Sequence, residues 1–283
     1  MTKIIVTGAG GFIGKALTVR LIKDGHQVLA LARQDGDVTS ASFWENLPDA
    51  EVLVHLAGRS YVPDSWNKPA DFIMSNVIST QRALDWCRRN SARMVFASTY
   101  VYGLPDRLPI RETDPVKPSN PYALSKHIAE QCCEFSVKNH GIDVSVLRLF
   151  NVYGYGQREE FLIPTLVKQL ESDQIKVMDL APRRDYVYLT DVIDAFVRAI
   201  AGPQGFHVLN IGSGQSYSVA EIISALQMAA GTELPVVSTS EIRRQEIPDV
   251  RADIALASKV LNWKPAFSLK AGIRDMLEEA NCV

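Results

Sequence analysis

Cysteine is scarce. Cys87, Cys132, Cys133 and Cys282 are the only four in 283 residues, and none has C-x-x-C spacing. That excludes a disulfide framework and gives no basis for a zinc site. The five histidines are scattered without an H-x-x-x-H pair, so no metal is expected. An excess of charge of one sign is missing too. Lys and Arg number 30 against 32 Asp and Glu, and a net charge of −2 draws neither nucleic acid nor an anionic membrane. An anionic small ligand therefore has to be held by local arginines. No apolar run reaches spanning length and no basic-then-apolar leader precedes Ile4, so a cytoplasmic protein is expected, without membrane or nucleic-acid partners. Internal repeats and low-complexity segments are absent as well. What remains is a soluble globular composition, 47% hydrophobic and 22% charged. Its length suits one large domain or two modest ones.

Glycine is concentrated where it matters. Gly8, Gly11 and Gly14 follow Lys3-Ile4-Ile5-Val6, which reads as a buried parallel strand. They precede residues 15–22, whose apolar positions recur at helical spacing. Strand, glycine loop and helix in that order make a dinucleotide site, because backbone N–H groups can approach a pyrophosphate at the helix N-terminus. The first gap is one residue wider than in the usual fingerprint.

The second strand, residues 28–32, ends at Ala32 and is followed by Arg33. An NAD site usually carries an acid near that point to bond the ribose hydroxyls. Arginine cannot accept from a hydroxyl but can pair with a 2′-phosphate, so NADP(H) is favoured over NAD(H). A solvated strand-end arginine is the plain alternative. No full crossover helix fits before Asp37 and Val38, so that connection is abbreviated. Asp37 is a candidate for the adenine edge, or a turn-forming aspartate. Further apolar strands at residues 51–58, 93–97 and 144–150 alternate with helices at 76–90 and from 122 onward. That order predicts a doubly wound parallel sheet. His55 lies inside a strand and reads as a packed or hydrogen-bonded residue rather than a catalyst. Beyond Gly154 the pattern loosens into a smaller lid over the carboxyl edge of the sheet, where ligands bind in open α/β folds.

Tyr122 and Lys126 are one helical turn apart and share a face. A phenol ionises near pH ~10, too high to trade protons at neutrality, and a neighbouring ammonium lowers that value. Tyr-x-x-x-Lys is common by chance. Behind a glycine loop and a strand-end serine it becomes the pattern of a proton-transfer site.

Those residues, with Leu56-Ala57-Gly58, Asn76, Ser98, Val101-Tyr102-Gly103, Arg148-x-x-Asn151-Val152-Tyr153-Gly154, Arg184-Asp185-Tyr186 and Asn210-Ile211-Gly212, are similar to the extended short-chain dehydrogenase/reductase family. The resemblance is to its nucleotide-sugar branch and spans essentially the whole chain. It implies a Rossmann-type α/β sheet with a second, smaller α/β substrate domain. The expected division is 1–155 plus 185–212 for the NAD(P) domain, and 156–184 plus 213–283 for the sugar-nucleotide domain. It also implies roles. Tyr122 is the general acid/base, Lys126 tunes it and holds the nicotinamide ribose, and Ser98, three before Val101, positions the reacting oxygen. Cofactor contacts fall on Gly8, Gly11, Phe12, Ile13, Gly14, Arg33, Asp37, Val38, Leu56, Ala57, Gly58, Asn76 and Phe150, besides Tyr122 and Lys126. Thr99, Asn151, Arg184 and Arg243 fall on the nucleotide-diphosphate sugar, the arginines on its diphosphate. For Arg184 an ion pair with Asp185 is the alternative, and for Arg243 a solvated charge run.

Dehydratases of this family place Asp-Glu after the catalytic hydroxyl residue, whereas this chain has Thr99-Tyr100. Enzymes that epimerise and then reduce GDP-sugars use a Cys where Tyr100 stands. The resemblance therefore leaves two reactions. One is NADPH-dependent reduction at C4 of a 4-keto-6-deoxy sugar nucleotide, with a dTDP sugar favoured. The other is 4-epimerisation with transient hydride transfer to bound NAD. A redox sensor that binds NADP(H) without turnover is the non-enzymatic alternative. A homodimer through the helices of 76–90 and 122–139 is also implied.

Overall fold

The computed structural model describes residues 1–240 and 246–281, so Arg243 and Cys282 lie outside the described residues. The chain opens with β1 (Lys3–Thr7), α1 (Phe12–Lys23) and β2 (Gln27–Leu31). A short α2 (Ala41–Glu45) leads to β3 (Val52–His55). After β3 come α3 (Val62–Asn67), α4 (Pro69–Phe72), a π-helical turn over Ile73–Ile78, and α5 (Ser79–Asn90). Then follow β4 (Arg93–Thr99), α6 (Pro121–His140), β5 (Val144–Leu149) and β6 (Asn151–Tyr153). The rest comprises α7 (Leu162–Gln169), β7 (Ile175–Val177), β8 (Arg183–Tyr188), α8 (Leu189–Ile200) and β9 (Phe206–Ile211). It closes with β10 (Ser216–Ser218), α9 (Val219–Ala230), β11 (Val236–Ser238), β12 (Asp249–Val250), α10 (Ala255–Leu261) and α11 (Leu269–Asn281).

Six strands form one parallel sheet in the order β2-β1-β3-β4-β5-β9, a Rossmann-like arrangement. Helices cover both faces, so β3 and β5 are buried at every position and carry no polar alternation. Alternate residues still serve different faces: Ile4 and Val6 join Leu17, Phe196 and Trp263, while Ile5 joins Trp86, Phe96 and Cys133. Among the described residues no strand pairs outside β2, so β2 is the sheet edge. The chain turns from β1 outward to β2, then crosses to β3 on the other side. That reversal opens a crevice beyond the carboxyl ends of β1 and β3.

A second sheet, β10-β8-β12 with β6 against β8, lies beside a separate core of Tyr153, Ile163, Tyr188, Ile222, Leu226 and Ile273. Helix α9 begins with a reciprocal cap, the Ser218 hydroxyl accepting from the Glu221 amide while the Glu221 carboxylate accepts from the Ser218 amide. Helix α10 and Trp263 pack on the first sheet rather than on this second core.

Candidate active site

Gly8 closes β1 with φ +74°, a left-handed conformation that favours glycine. A Cβ there would lie 2.7 Å from the Ala57 nitrogen, so the turn after β1 and the end of β3 touch at the crevice. At Gly14 a Cβ would lie 2.2 Å from the Gly8 carbonyl oxygen. Helix α1 therefore starts close against the turn. Its N-cap, Gly11, makes no side-chain cap, and no acid sits in the first turn. This helix end is a cradle of amides with positive potential, suited to a diphosphate. Phe12 and Ile13 are half-buried at its start, and Leu56, Ala57 and the exposed Gly58 face it from β3.

Arg33 stands exposed just past β2, in a single turn whose Asp35 carboxylate accepts from the Ala32 amide at 2.7 Å. The Asp37 carboxylate accepts from the Thr39 amide at 2.9 Å and the Thr39 hydroxyl at 2.8 Å. Those two bonds hold it below the usual carboxylate range. The turn-forming alternative thus describes Asp37 well, and Val38 is half-buried beside it.

Helix α6 carries the proton-transfer pair. Its N-cap Asn120 accepts from the Ala123 amide at 2.8 Å, and Pro121 occupies the first turn, where a missing N–H costs nothing. Tyr122 is half-buried with its ring edge-on to Phe72. Lys126, one turn on, is buried with its ammonium 4.1 Å from the centre of the Phe96 ring. Burial pushes Lys126 down to about 8, although Glu130 opposes this. Tyr122 is pushed up to about 12, chiefly by burial, with a hydrogen bond from Thr99 pulling the other way. Burial outweighs any lowering, so the phenol lies above its ordinary value.

The two hydroxyls at the end of β4 face different groups. Ser98, expected beside Tyr122, donates at 2.5 Å to Glu130, one turn beyond Lys126 on α6. Thr99, expected on the substrate, acts on the Tyr122 phenol and lowers it. Strand geometry separates them, since consecutive side chains point to opposite faces. Glu130 is bracketed further by Arg148, whose Nη2 donates to it at 2.7 Å. Arg148 also donates to the Tyr102 hydroxyl at 2.8 Å, and Tyr102 donates to Asn210 at 2.6 Å. Motif reading did not find Glu130. The signal was Tyr122, Lys126 and Glu130 at successive turns of one helix face.

Asn76, expected at the cofactor, is held by bonds within the protein. It is buried inside the π-helical turn, with its amide oxygen accepting from the Arg59 amide at 2.8 Å. Its amide nitrogen donates to the Arg59 carbonyl at 3.1 Å and to Ser125 at 2.9 Å. Asn76 thus clasps α6 to the loop after β3 and positions the helix that carries Tyr122. Phe150, also expected at the cofactor, is buried and stacked on Tyr100, with ring centres 5.2 Å apart. His55 is a hydrogen-bonded strand residue. Ser79 donates to the Ser75 carbonyl and so accepts from His55 Nε2, leaving Nδ1 to accept from Thr7 at 2.8 Å. Burial, with Lys126 nearby, pushes its imidazole down to about 3.

On the far side of the cleft, Asn151 donates to the Asp185 carbonyl at 3.3 Å. Arg184 pairs with Glu246 and donates to the Ile247 carbonyl at 2.6 Å. The ion pair with Asp185 does not form, because Asp185 points to the opposite side of β8. Its buried carboxylate accepts from the Ser213 amide and hydroxyl, and from the Gly214 and Ala252 amides. Burial still raises Asp185 to about 6 against those bonds. Among the described residues no group of His, Cys, Asp or Glu is arranged to hold a metal, and no helix is long and apolar enough to cross a membrane.

Residues 4–212 match the NAD dependent epimerase/dehydratase family. The chain belongs to that family. Among its relatives is GDP-6-deoxy-D-mannose reductase of Pseudomonas aeruginosa, 32% identical over 98% of this chain and 96% of the relative. Another is UDP-glucose 4-epimerase of Lactobacillus helveticus, 31% identical over 93% of this chain and 92% of the relative. The structure of RMD from Pseudomonas aeruginosa complexed with NADPH superposes with a TM-score of 0.91 at 30% identity, covering 99% of this chain and 98% of that one. This member of the NAD dependent epimerase/dehydratase family is thus an enzyme of the extended short-chain dehydrogenase/reductase type. The glycine cradle, the uncapped α1 and the buried Lys126 fit a nicotinamide dinucleotide. Gly14→Ala should force the turn apart, and NADPH titration should show affinity lower by about 10-fold or more, with circular dichroism unchanged.

Proposed function

We propose that the chain is an NADP(H)-dependent 4-ketoreductase of a nucleotide-diphosphate 4-keto-6-deoxyhexose. The observation that carries this reading is the half-buried Tyr122 phenol at the start of α6, one turn before the buried Lys126 and kept in its proton-bearing form by burial. A phenol in that state gives a proton to an oxygen on which charge develops, which is what ketone reduction requires. Thr99 would hold that oxygen in line with Tyr122. Lys126 would bond the nicotinamide ribose and keep positive charge beneath the site. Bound NADP(H) supplies the hydride. Arg33, where an acid would serve NAD, supports the phosphorylated cofactor. Arg184, with Arg243, would pair with the diphosphate. Residues 156–184 and 213–283 would form the sugar-nucleotide unit.

The resemblance favours a dTDP sugar, while the Pseudomonas relative carries GDP in its name. The assay is therefore NADPH oxidation with dTDP-, GDP- and UDP-linked 4-keto-6-deoxy sugars. Steady oxidation with any of them supports the reading. Interconversion of two nucleotide sugars without net NADPH loss would replace it with the 4-epimerase, which the Lactobacillus relative keeps in view. Arg33→Ala should weaken NADPH by about 10-fold and leave NADH unchanged, as one charge-assisted contact to phosphate is lost.

A homodimer joined through the helices of 76–90 and 122–139 completes the proposal. Helix α6 exposes Leu124 and Phe135, with Ile128 and Cys132 half-buried along the same stripe. Phe135→Asp should convert the dimer to a monomer in light scattering without lowering secondary structure. A wild-type monomer would end the dimer reading.

A further inference from the structure

Three close approaches join the turn after β1, the loop after β3 and the segment after β6 into a ring about the start of α1. The first is backbone on backbone, since a Cβ on Gly8 would lie 2.7 Å from the Ala57 nitrogen. The second meets the first turn of α1, where a Cβ on Gly154 would lie 3.6 Å from Cζ of Phe12. The third is made by side chains. Tyr61, where the loop after β3 enters α3, has its ring edge-on to Phe161, with ring centres 6.0 Å apart. The Arg158 guanidinium lies 5.5 Å from the centre of the same Tyr61 ring. Arg158 and Phe161 belong to residues 154–161, which lead from β6 to α7. Residues 57–61 and 154–161 therefore meet at Tyr61, and the amide cradle is the third side of the ring.

The join at Tyr61 is the one most open to water. The Arg158 side chain is 55% exposed, and the Tyr61 and Phe161 rings are half-buried. Gly156, within the same segment, has φ +80° with nothing near the place of a Cβ, so the chain is free to bend there. We propose that Tyr61 is a latch, a positioning residue that holds residues 154–161 closed over the α1 cradle and sets the rate at which a nicotinamide dinucleotide enters and leaves. This rests on the dinucleotide reading of that cradle. A reductase spends one reduced cofactor per turnover and has to release the oxidised form, so the latch lies on its path. The latch joins protein to protein, so loosening it speeds entry and exit alike and leaves affinity where it was. Loss of a direct cofactor contact would instead speed exit alone.

The test is stopped-flow fluorescence of NADPH, and separately of NADH, mixed with the full chain. Exit is read by chasing the loaded protein with excess NADP+ or NAD+. In Tyr61→Ala the rate constants for association and dissociation should both rise by about 10-fold, with Kd within about 3-fold, as an edge-on ring pair and a cation–π contact are lost together. Tyr61→Phe keeps the ring and both contacts, so both rates should stay within about 2-fold of wild type. Phe161→Ala removes one contact and should raise both rates by about 3-fold with melting unchanged, which tests the latch even where Tyr61→Ala folds poorly. Unchanged rates in both alanine variants overturn the latch. Dissociation that rises alone makes Tyr61 a cofactor contact and overturns it equally, and in both cases the dinucleotide reading stands. A wild type that binds neither NADPH nor NADH overturns that reading and the latch with it.

Discussion

Tyr122→Phe should lower kcat by about 10³-fold, within the range that a positioned proton donor contributes, while NADPH affinity stays within about 2-fold. The companion substitutions separate the two hydroxyls of β4. Thr99→Val removes the hydroxyl that acts on Tyr122 and should lower kcat by about 10- to 100-fold with little change in melting temperature. Ser98→Ala should do the reverse. It withdraws a donor from buried Glu130, costing about 1–3 kcal/mol of stability, with kcat at 25 °C within about 3-fold. The opposite pattern would return the catalytic hydroxyl to Ser98. A sensor without turnover would keep its function in Tyr122→Phe, which the same variant tests. The pH profile adds a further check. Tyr122 stays protonated throughout the accessible range, being pushed up to about 12. Lys126, brought down to about 8 by burial, is charged below that pH and loses its proton above it. The rate of ketone reduction should therefore fall as pH rises through about 8, and Lys126→Met should remove that limb.

The sheet and the glycine cradle were legible because their signals are local. An apolar strand, a glycine turn and a helix face each occupy a few consecutive residues, and β1, α1 and α9 sit where periodicity placed them. The abbreviated link after Arg33 was legible from length alone. The partners of individual side chains were harder to read. Counting back from Val101 selects Ser98, but the count does not say which way a side chain turns as β4 ends, and Ser98 turns to Glu130. Asn76 lay inside a motif, yet its buried bonds to Arg59 and Ser125 depend on a π-helical turn that no spacing announced. Arg184 and Asp185 are adjacent in sequence and opposed in space for the same period-two reason, so their pairing could not follow from proximity. The partners of Glu130 come from β4 and β5, far from α6 in the chain, and only the folded sheet brings them together.

That buried cluster should give the largest stability effect in the molecule. Arg148→Met leaves Glu130 almost wholly buried, with Ser98, a distant His127 and Lys126 one turn away to face its charge. It also strips the Tyr102 hydroxyl of its donor. Removing one partner of a buried ion pair typically costs about 3–5 kcal/mol, because the remaining charge keeps its desolvation penalty without the attraction. Urea unfolding should show that loss as a lower midpoint at unchanged slope. The double substitution Glu130→Leu with Arg148→Met should recover most of it, since two apolar side chains of similar volume need no partner. Additive losses in the double variant would mean that the two groups act independently, contrary to their 2.7 Å contact. Recovery of stability should bring turnover back with it, as Ser98→Ala keeps turnover, because both variants lose the same bond from Ser98 to Glu130. A double variant that folds well yet reduces its substrate slowly would show instead that the ion pair sets the direction of the end of β4, and Ser98→Ala should then lower kcat as well.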